Sequence, residues 1–366
     1  MKKEQIKKLY NRVKAWSEKY ERVLLPGTMA FGVAVDFLTF KSIQISTAFL
    51  ILGAHIIFAG IVIAYWNAYD AGLLNKEHRL WGFLRLAAPY AIQFSFGALA
   101  SASFIFYFFS GSIYVSWPFI LIIVILMVGN EVFRKYYLRA GVQVAVYYFL
   151  LFSISAIVIP YILQKISPGI FLLSGTLSLL FIFGYIALLS FFIKKISFSF
   201  RRFWKQIAAI FLLMNLFYFM NFIPPIPLSL REAVVGQGLE RRSGEYHIWA
   251  EEESLWEKIL PGRTVHRKAG SPVVVYTAIF APGKMETKII HNWQHKENGK
   301  WVSKSKLSFT AIGGREDGFR GYSLKTSVPA GEWRVDVETT RGQVLGRVRF
   351  NVVEVSEMPE LVEIIK

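Results

Sequence analysis

Residues 223–230 read IPPIPLSL, and this run divides the chain into two parts that follow different rules. Three prolines in five positions stop a helix and stiffen the segment that leaves it. Upstream, from Met1 to Pro227, there are 21 Lys and Arg against 7 Asp and Glu; downstream there are 21 against 18. The chain as a whole is 54% hydrophobic with a mean hydropathy of +0.40, too apolar for an ordinary globular protein of 366 residues. Its net charge of +17 therefore sits almost wholly on the apolar part, which argues against nucleic acid as the partner.

Working back from the prolines, seven runs approach the length of about 20 apolar helical residues needed to cross a hydrocarbon core of about 30 Å. They are predicted at 23–40, 45–66, 86–109, 113–129, 142–163, 169–193 and 206–223, the first interrupted by Pro26 and Asp36. Nineteen Lys and Arg fall in the leader and in alternate connections, and only Lys41 and Lys165 in the others. Positive residues resist translocation, so the N-terminus is expected in the cytoplasm and the C-terminal domain outside it, with membrane lipids as surroundings. Residues 1–22 read as a basic amphipathic helix, Ile6, Leu9, Tyr10, Val13, Trp16 and Tyr20 recurring among lysines, with no cleavage site after the first apolar run.

Working forward, short β-branched and aromatic runs alternate with turn signals such as APGK, ENGK, PAGE and TRGQ. The predicted strands cover 246–249, 263–267, 273–280, 287–295, 301–312, 319–325, 333–338 and 344–353. Their spacing implies an all-β, immunoglobulin-like antiparallel sandwich without the disulfide, since the chain has no cysteine. The expected organisation is a leader at 1–22, a seven-helix transmembrane domain at 23–223, a linker at 224–230, the sandwich at 231–356 and a tail at 357–366.

Several motifs give the chain a family likeness. QFSFGALASASFIFYFFS (93–110), SWPF (116–119) and NEVFRKYY (130–137) lie in the apolar half; AIFAP (278–282), HNW (291–293), GGREDGFRGYS (313–323), GEWRVDVET (331–339) and GQVLGRVRF (342–350) lie beyond it. They resemble an uncharacterised family of bacterial multi-span membrane proteins whose C-terminal domain is a conserved domain of unknown function. The resemblance implies the architecture and a bacterial inner membrane, and it brings no activity.

The polar residues inside the predicted spans are Asp36, His55, Gln93, Asn130, Glu131 and Asn215. An Asp within a span implies a partner or water, here Gln44, Ser46 or Thr47 across the hairpin, or a function. His55 and Asn215 lie at similar depth and predict a bond between helices; Gln93 invites the same reading. Glu131 predicts an ion pair with Arg134 or Lys135 one turn on. In the outer half the candidate binding residues are His291, Trp293, Arg315, Arg320, Tyr322 and Trp333. His291 and His295 share a strand face but stand about 13 Å apart, too far to ligate one metal ion. Trp293 serves either as a core aromatic or as a sugar-stacking platform. Arg315 and Arg320, in a glycine-rich loop, suit an anion or else pair with Glu316 and Asp317.

No G-x-S-x-G, Walker or zinc-helix signature is present, so no catalytic residue is marked out, and no metal or cofactor is expected. Two functions remain. One is a membrane-anchored domain recognising an envelope glycan, lipid head group or protein partner; the alternative is a membrane enzyme or transporter for a lipid-linked or anionic substrate within the helix bundle.

Overall fold

The computed structural model describes residues 45–132, 137, 139–193, 200–252, 262–283, 285–312 and 318–366, with isolated positions between 12 and 35; side chains at 131, 132 and 200–202 lie outside the description. Two compact units result. The first takes in the helices; the second takes in Tyr107–Trp117, Pro160–Ile166 and Met220–Lys366.

Among the described residues there are six helices: α1 (Ile45–Asp70), α2 (Arg79–Phe109), α3 (Ile113–Val132), α4 (Ala140–Ile162), α5 (Pro168–Phe192) and α6 (Phe200–Phe219). Five, α1 to α5, are long and apolar enough to cross a membrane. Seven were expected. The last predicted run is helical only to Phe219, its apolar part confined to Phe203–Phe219, because the chain turns through Asn221 at positive φ into the prolines. The predicted span at 23–40 lies outside the described residues.

The helices divide by burial. α2, the least apolar of the five, is 78% buried within the protein and α4 72%, whereas α1, α3 and α5 expose most of their surface. Leu50, Ile57, Ile61, Ile125 and Leu180 stand on those exposed faces, the arrangement expected where lipid is the solvent and polar side chains turn inward. α1 meets its neighbours closely at Gly60: Tyr185 donates to the Gly60 carbonyl at 2.7 Å and Tyr147 to the Ile56 carbonyl at 3.0 Å. A side chain at Gly60 would come within 2.9 Å of the Tyr147 hydroxyl.

The strands of the second unit are β1 (Ser229–Gly236), β2 (Gly238–Arg242), β3 (Glu245–Ala250), β4 (Arg263–Arg267), β5 (Val273–Phe280), β6 (Glu286–Glu297), β7 (Lys300–Ile312), β8 (Phe319–Lys325), β9 (Gly331–Thr339), β10 (Val344–Glu354) and β11 (Val362–Ile365). They form sheets β1-β5-β8, β4-β10-β9-β6-β7 and β11-β3-β2. The first two share an apolar core containing Val235, Val275, Trp293, Trp333, Val335 and Phe350. The third covers the opposite face of β1-β5-β8 through Val234, Ile248, Ala250, Tyr276 and Ala278. Buried on both faces, β5 is a continuous apolar run rather than an alternating one.

Two expectations are therefore revised. The pairing is antiparallel except that β4 runs parallel to β10, and a third sheet is added to the sandwich. That sheet includes β11, from the segment expected to be a tail, tied to β3 by reciprocal bonds between Tyr246 and Lys366.

The second unit also includes connections between helices. The Ser112 N–H donates to the Val344 carbonyl at 3.1 Å, the Gln343 amide to the Ile223 carbonyl at 3.0 Å, and Asn221 to the Arg341 carbonyl at 3.3 Å. Ile166 packs against the cluster of Leu228, Ile279, Met285 and Val337.

Candidate functional site

His291, Trp293 and Trp333 lie in the sandwich core, each 1% exposed or less, so none of them forms a surface platform. His291 belongs to a chain of hydrogen bonds whose directions are fixed by its ends. Trp293 Nε1–H can only donate, and it reaches Ser323 Oγ at 2.9 Å; the Thr277 hydroxyl donates to the Gly321 carbonyl at 3.3 Å. Ser323 then donates to His291 Nδ1 at 2.8 Å, and His291 Nε2–H donates to Thr277 Oγ1 at 3.0 Å. Every member is satisfied by a neutral imidazole. Burial pushes the His291 pKa down to about 4. His295 stacks on Trp333 and bonds Glu297, and no group of three metal-ligating side chains exists among the described residues.

The chemistry left to the surface lies on the other face of the five-stranded sheet. Alternation that sends Trp333, Val335 and Val337 of β9 inward sends Arg334, Asp336 and Glu338 outward; on β10 it sends Val348, Phe350 and Val352 in and Arg347, Arg349 and Asn351 out. The register aligns these side chains in rows. Asn292, Asp336 and Arg347 form one; Gln294, Arg334 and Arg349 form the next.

In the first row Arg347 grips Asp336 with two bonds, 2.7 and 3.1 Å, and Gln294 reaches the same carboxylate at 3.3 Å. Asp336 is buried despite its position on the outer face. In the second row Arg334 donates twice to Gln294 Oε1, at 2.9 and 2.7 Å, with its guanidinium over Trp301 at 4.6 Å. Arg349 lies over the Tyr114 ring at 4.6 Å, with Arg347 over the same ring at 5.8 Å. Among the described residues Arg349 has no carboxylate partner, and its buried Nε has no hydrogen bond. Burial lowers the Arg334 pKa and the charges of Arg347 and Arg349 lower it further, against the pull of Asp336. Burial likewise raises the Glu338 pKa despite Lys306 nearby. The face thus concentrates three guanidinium groups around one gripped carboxylate.

Sequence reasoning singled out none of Arg334, Arg347, Arg349, Trp301 or Tyr114. The signal was the alternation in WRVDVE and GRVRF, in which every second residue is charged. Of the residues it did name, Arg320 and Tyr322 stand on β8, in the other sheet, Tyr322 edge-on to Tyr246. Arg315 lies outside the described residues. The named binding residues therefore do not converge.

In the helical unit Gln93 and Asn130 bind each other's backbone: Gln93 Nε2 donates to the Asn130 carbonyl at 2.7 Å and Asn130 Nδ2 to that of Gln93 at 3.5 Å. Asn67 links α1 to α4 through Gln143 Oε1 at 3.1 Å, and Arg85 pairs with Asp70. The expected bond between His55 and Asn215 is absent. Asn215 donates one amide N–H to the Phe211 carbonyl within its own helix at 2.8 Å, and the His55 ring rests on Phe94. Asp36 and the Glu131 side chain lie outside the description.

Residues 286–352, β6 through most of β10, match a family model described as a protein of unknown function (DUF2914). The match contains both rows of the outward face. No curated protein and no solved structure matches the chain.

Proposed function

We propose that this is a multi-pass protein of a bacterial inner membrane whose sandwich, on the non-cytoplasmic side, recognises an anionic component of the envelope. The observation that carries the reading is the Arg334–Arg349 pair within the family-matched segment. Like charges directly opposite on neighbouring strands are destabilising unless something compensates them, and among the described residues the carboxylate between the rows, Asp336, is gripped by Arg347 and lies 3.8 Å from Arg334, which leaves Arg349 without one. A phosphate or carboxylate on a glycan, lipid or protein would accept both forks.

Sidedness is supported by the bonds that tie Ser112 and Ile166 into the strand-containing unit: both lie in connections poor in positive charge. Seven spans, with 23–40 and the shorter apolar helix Phe203–Phe219 added to the five, keep the charge alternation intact. An immunoglobulin-type topology is supported by the order β1-β5-β8 against β4-β10-β9-β6-β7, which corresponds to A-B-E against A′-G-F-C-C′. Trp293 then occupies strand C, and Val275 and Val335 share the core between B and F, where antibody domains place a disulfide.

A second reading, transport or catalysis within the bundle, draws on Ser95, Ser101 and Ser103, whose hydroxyls are buried in α2 without a hydrogen-bond partner. The two readings separate in a titration of the full-length protein, in zwitterionic nanodiscs, with an acidic oligosaccharide and with a soluble short-chain phosphatidylglycerol. Recognition by the sheet expects at least one to bind and Arg334→Gln to weaken it about tenfold, the size of one charge-assisted bond. Binding of neither, or binding unchanged in Arg334→Gln but lost on changing Ser101, contradicts it.

A further inference from the structure

The outward face has two ends with different aromatic partners, Trp301 under Arg334 and Tyr114 under Arg349. Tyr114 is not a sandwich residue. It is the second residue of α3, a helix whose apolar window begins at Ile113, so it marks the level at which that helix enters the hydrocarbon. Its neighbours fit that level: Phe109, Ile113 and Trp117 are all exposed, as is Tyr114 itself, and aromatic side chains collect at the boundary between hydrocarbon and head groups. The start of β10 is fixed to the same place by the bond from Ser112 to Val344. On that reading Arg347 and Arg349 are held where phospholipid phosphates lie.

We propose that Arg349, with Arg347 and Tyr114, forms a binding site for the head-group phosphate of an anionic phospholipid in the adjacent leaflet. This rests on the reading of the face as an anion site and names the ligand at its membrane end. Charge complementarity supplies the attraction: Arg349 has no carboxylate partner among the described residues, and its Nε is buried without an acceptor. Tyr114 holds the guanidinium plane from one side, which leaves the donors on its edge to fork onto phosphate oxygens. A lipid is favoured over a free anion because the belt of Phe109, Ile113 and Trp117 provides apolar surface for acyl chains beside the charge. Surface lysines at this depth would attract anionic lipid by charge alone; a planar fork seated on an aromatic ring adds geometry.

The test is native mass spectrometry of the full-length protein from nanodiscs holding equal phosphatidylglycerol and phosphatidylcholine. The expected result is retained phosphatidylglycerol, reduced about tenfold in Arg349→Gln, partly restored in Arg349→Lys, and unchanged in Lys304→Gln on the exposed β7 edge. Millimolar inorganic phosphate should not displace it. Equal retention in wild type and Arg349→Gln overturns the proposal, as does displacement by phosphate, which would identify a free-anion site. Should Arg349→Gln fail to fold, the wild type decides alone: no preference for phosphatidylglycerol over phosphatidylcholine overturns it. Loss of the lipid in Arg349→Gln with oligosaccharide binding intact in Arg334→Gln leaves this site standing and removes the broader reading; the converse removes only this site.

Discussion

Arg334 of β9 and Arg349 of β10 stand directly opposite each other across an antiparallel pair, both on the outward face of the sheet. Each has been given an aromatic ring, Trp301 and Tyr114; Arg334 shares the Asp336 carboxylate with Arg347, at 3.8 Å, and among the described residues Arg349 has no carboxylate partner. On the proposed reading such an arrangement costs stability in the empty protein and returns it when an anion binds.

Reversing one charge should expose that cost. In Arg349→Glu the cross-strand repulsion becomes an attraction worth about 0.5–1 kcal/mol, so the empty protein should melt a few degrees higher while anion binding is lost. Thermal unfolding in zwitterionic detergent, with and without phosphatidylglycerol, measures both. A lower melting temperature would mean that Arg349 stabilises the empty protein as it stands.

Asp336 has the opposite role. It is the carboxylate that Arg347 and Gln294 converge on, and its side chain is 5% exposed. Asp336→Asn leaves the largely buried Arg347 charge without its counter-ion and should cost roughly 3 kcal/mol, seen as a lower denaturation midpoint. Arg347→Met together with Asp336→Leu should recover most of that loss, because removing both charges leaves neither stranded.

The His291 chain predicts an acid-labile domain. Above pH of about 6.5 the imidazole is neutral folded and unfolded. Between 6.5 and about 4 the unfolded chain binds a proton that the folded domain does not, so stability falls as acid is added, by about 3 kcal/mol in all, and the loss stops below 4. Urea unfolding followed by the fluorescence of Trp293 and Trp333 should show this slope. In His291→Gln the slope over that interval should flatten.

The transmembrane clamp between Gln93 and Asn130 makes a smaller demand. Asn130→Ala should cost about 0.6 kcal/mol and no more than about 1.7, the range for hydrogen bonds between helices in a bilayer. Steric trapping or a denaturation midpoint in mixed micelles measures it. A loss several times larger would assign Asn130 a further partner.

Much of this architecture was legible before any coordinates. β4, β5 and β8 begin and end where alternation and turn residues put them, and five spans follow from apolar length alone. The third sheet was not read, although β5 announced it: VVVYTAIF is apolar at nearly every position because it is covered on both sides. β2 and β11, GLERR and VEII, are short and half polar, so their place depends on β3 being there to pair with. Period-two spacing puts Trp293 on one face with His291, but it says only which residues share a face, not which face the second sheet covers. The Arg334–Arg349 opposition needed the register between β9 and β10, and a single sequence does not contain it. Tyr114 lies more than 200 residues from both arginines, and no local pattern joins them.

The account depends most on which side of the bilayer the sandwich occupies. The chain has no cysteine, so Lys304→Cys, on the exposed edge of β7, supplies a single thiol. Reaction of that thiol with a membrane-impermeant maleimide in sealed spheroplasts, with Arg79→Cys reacting only after permeabilisation, is the expected result. Labelling of Arg79→Cys in sealed spheroplasts while Lys304→Cys stays protected until lysis would contradict it.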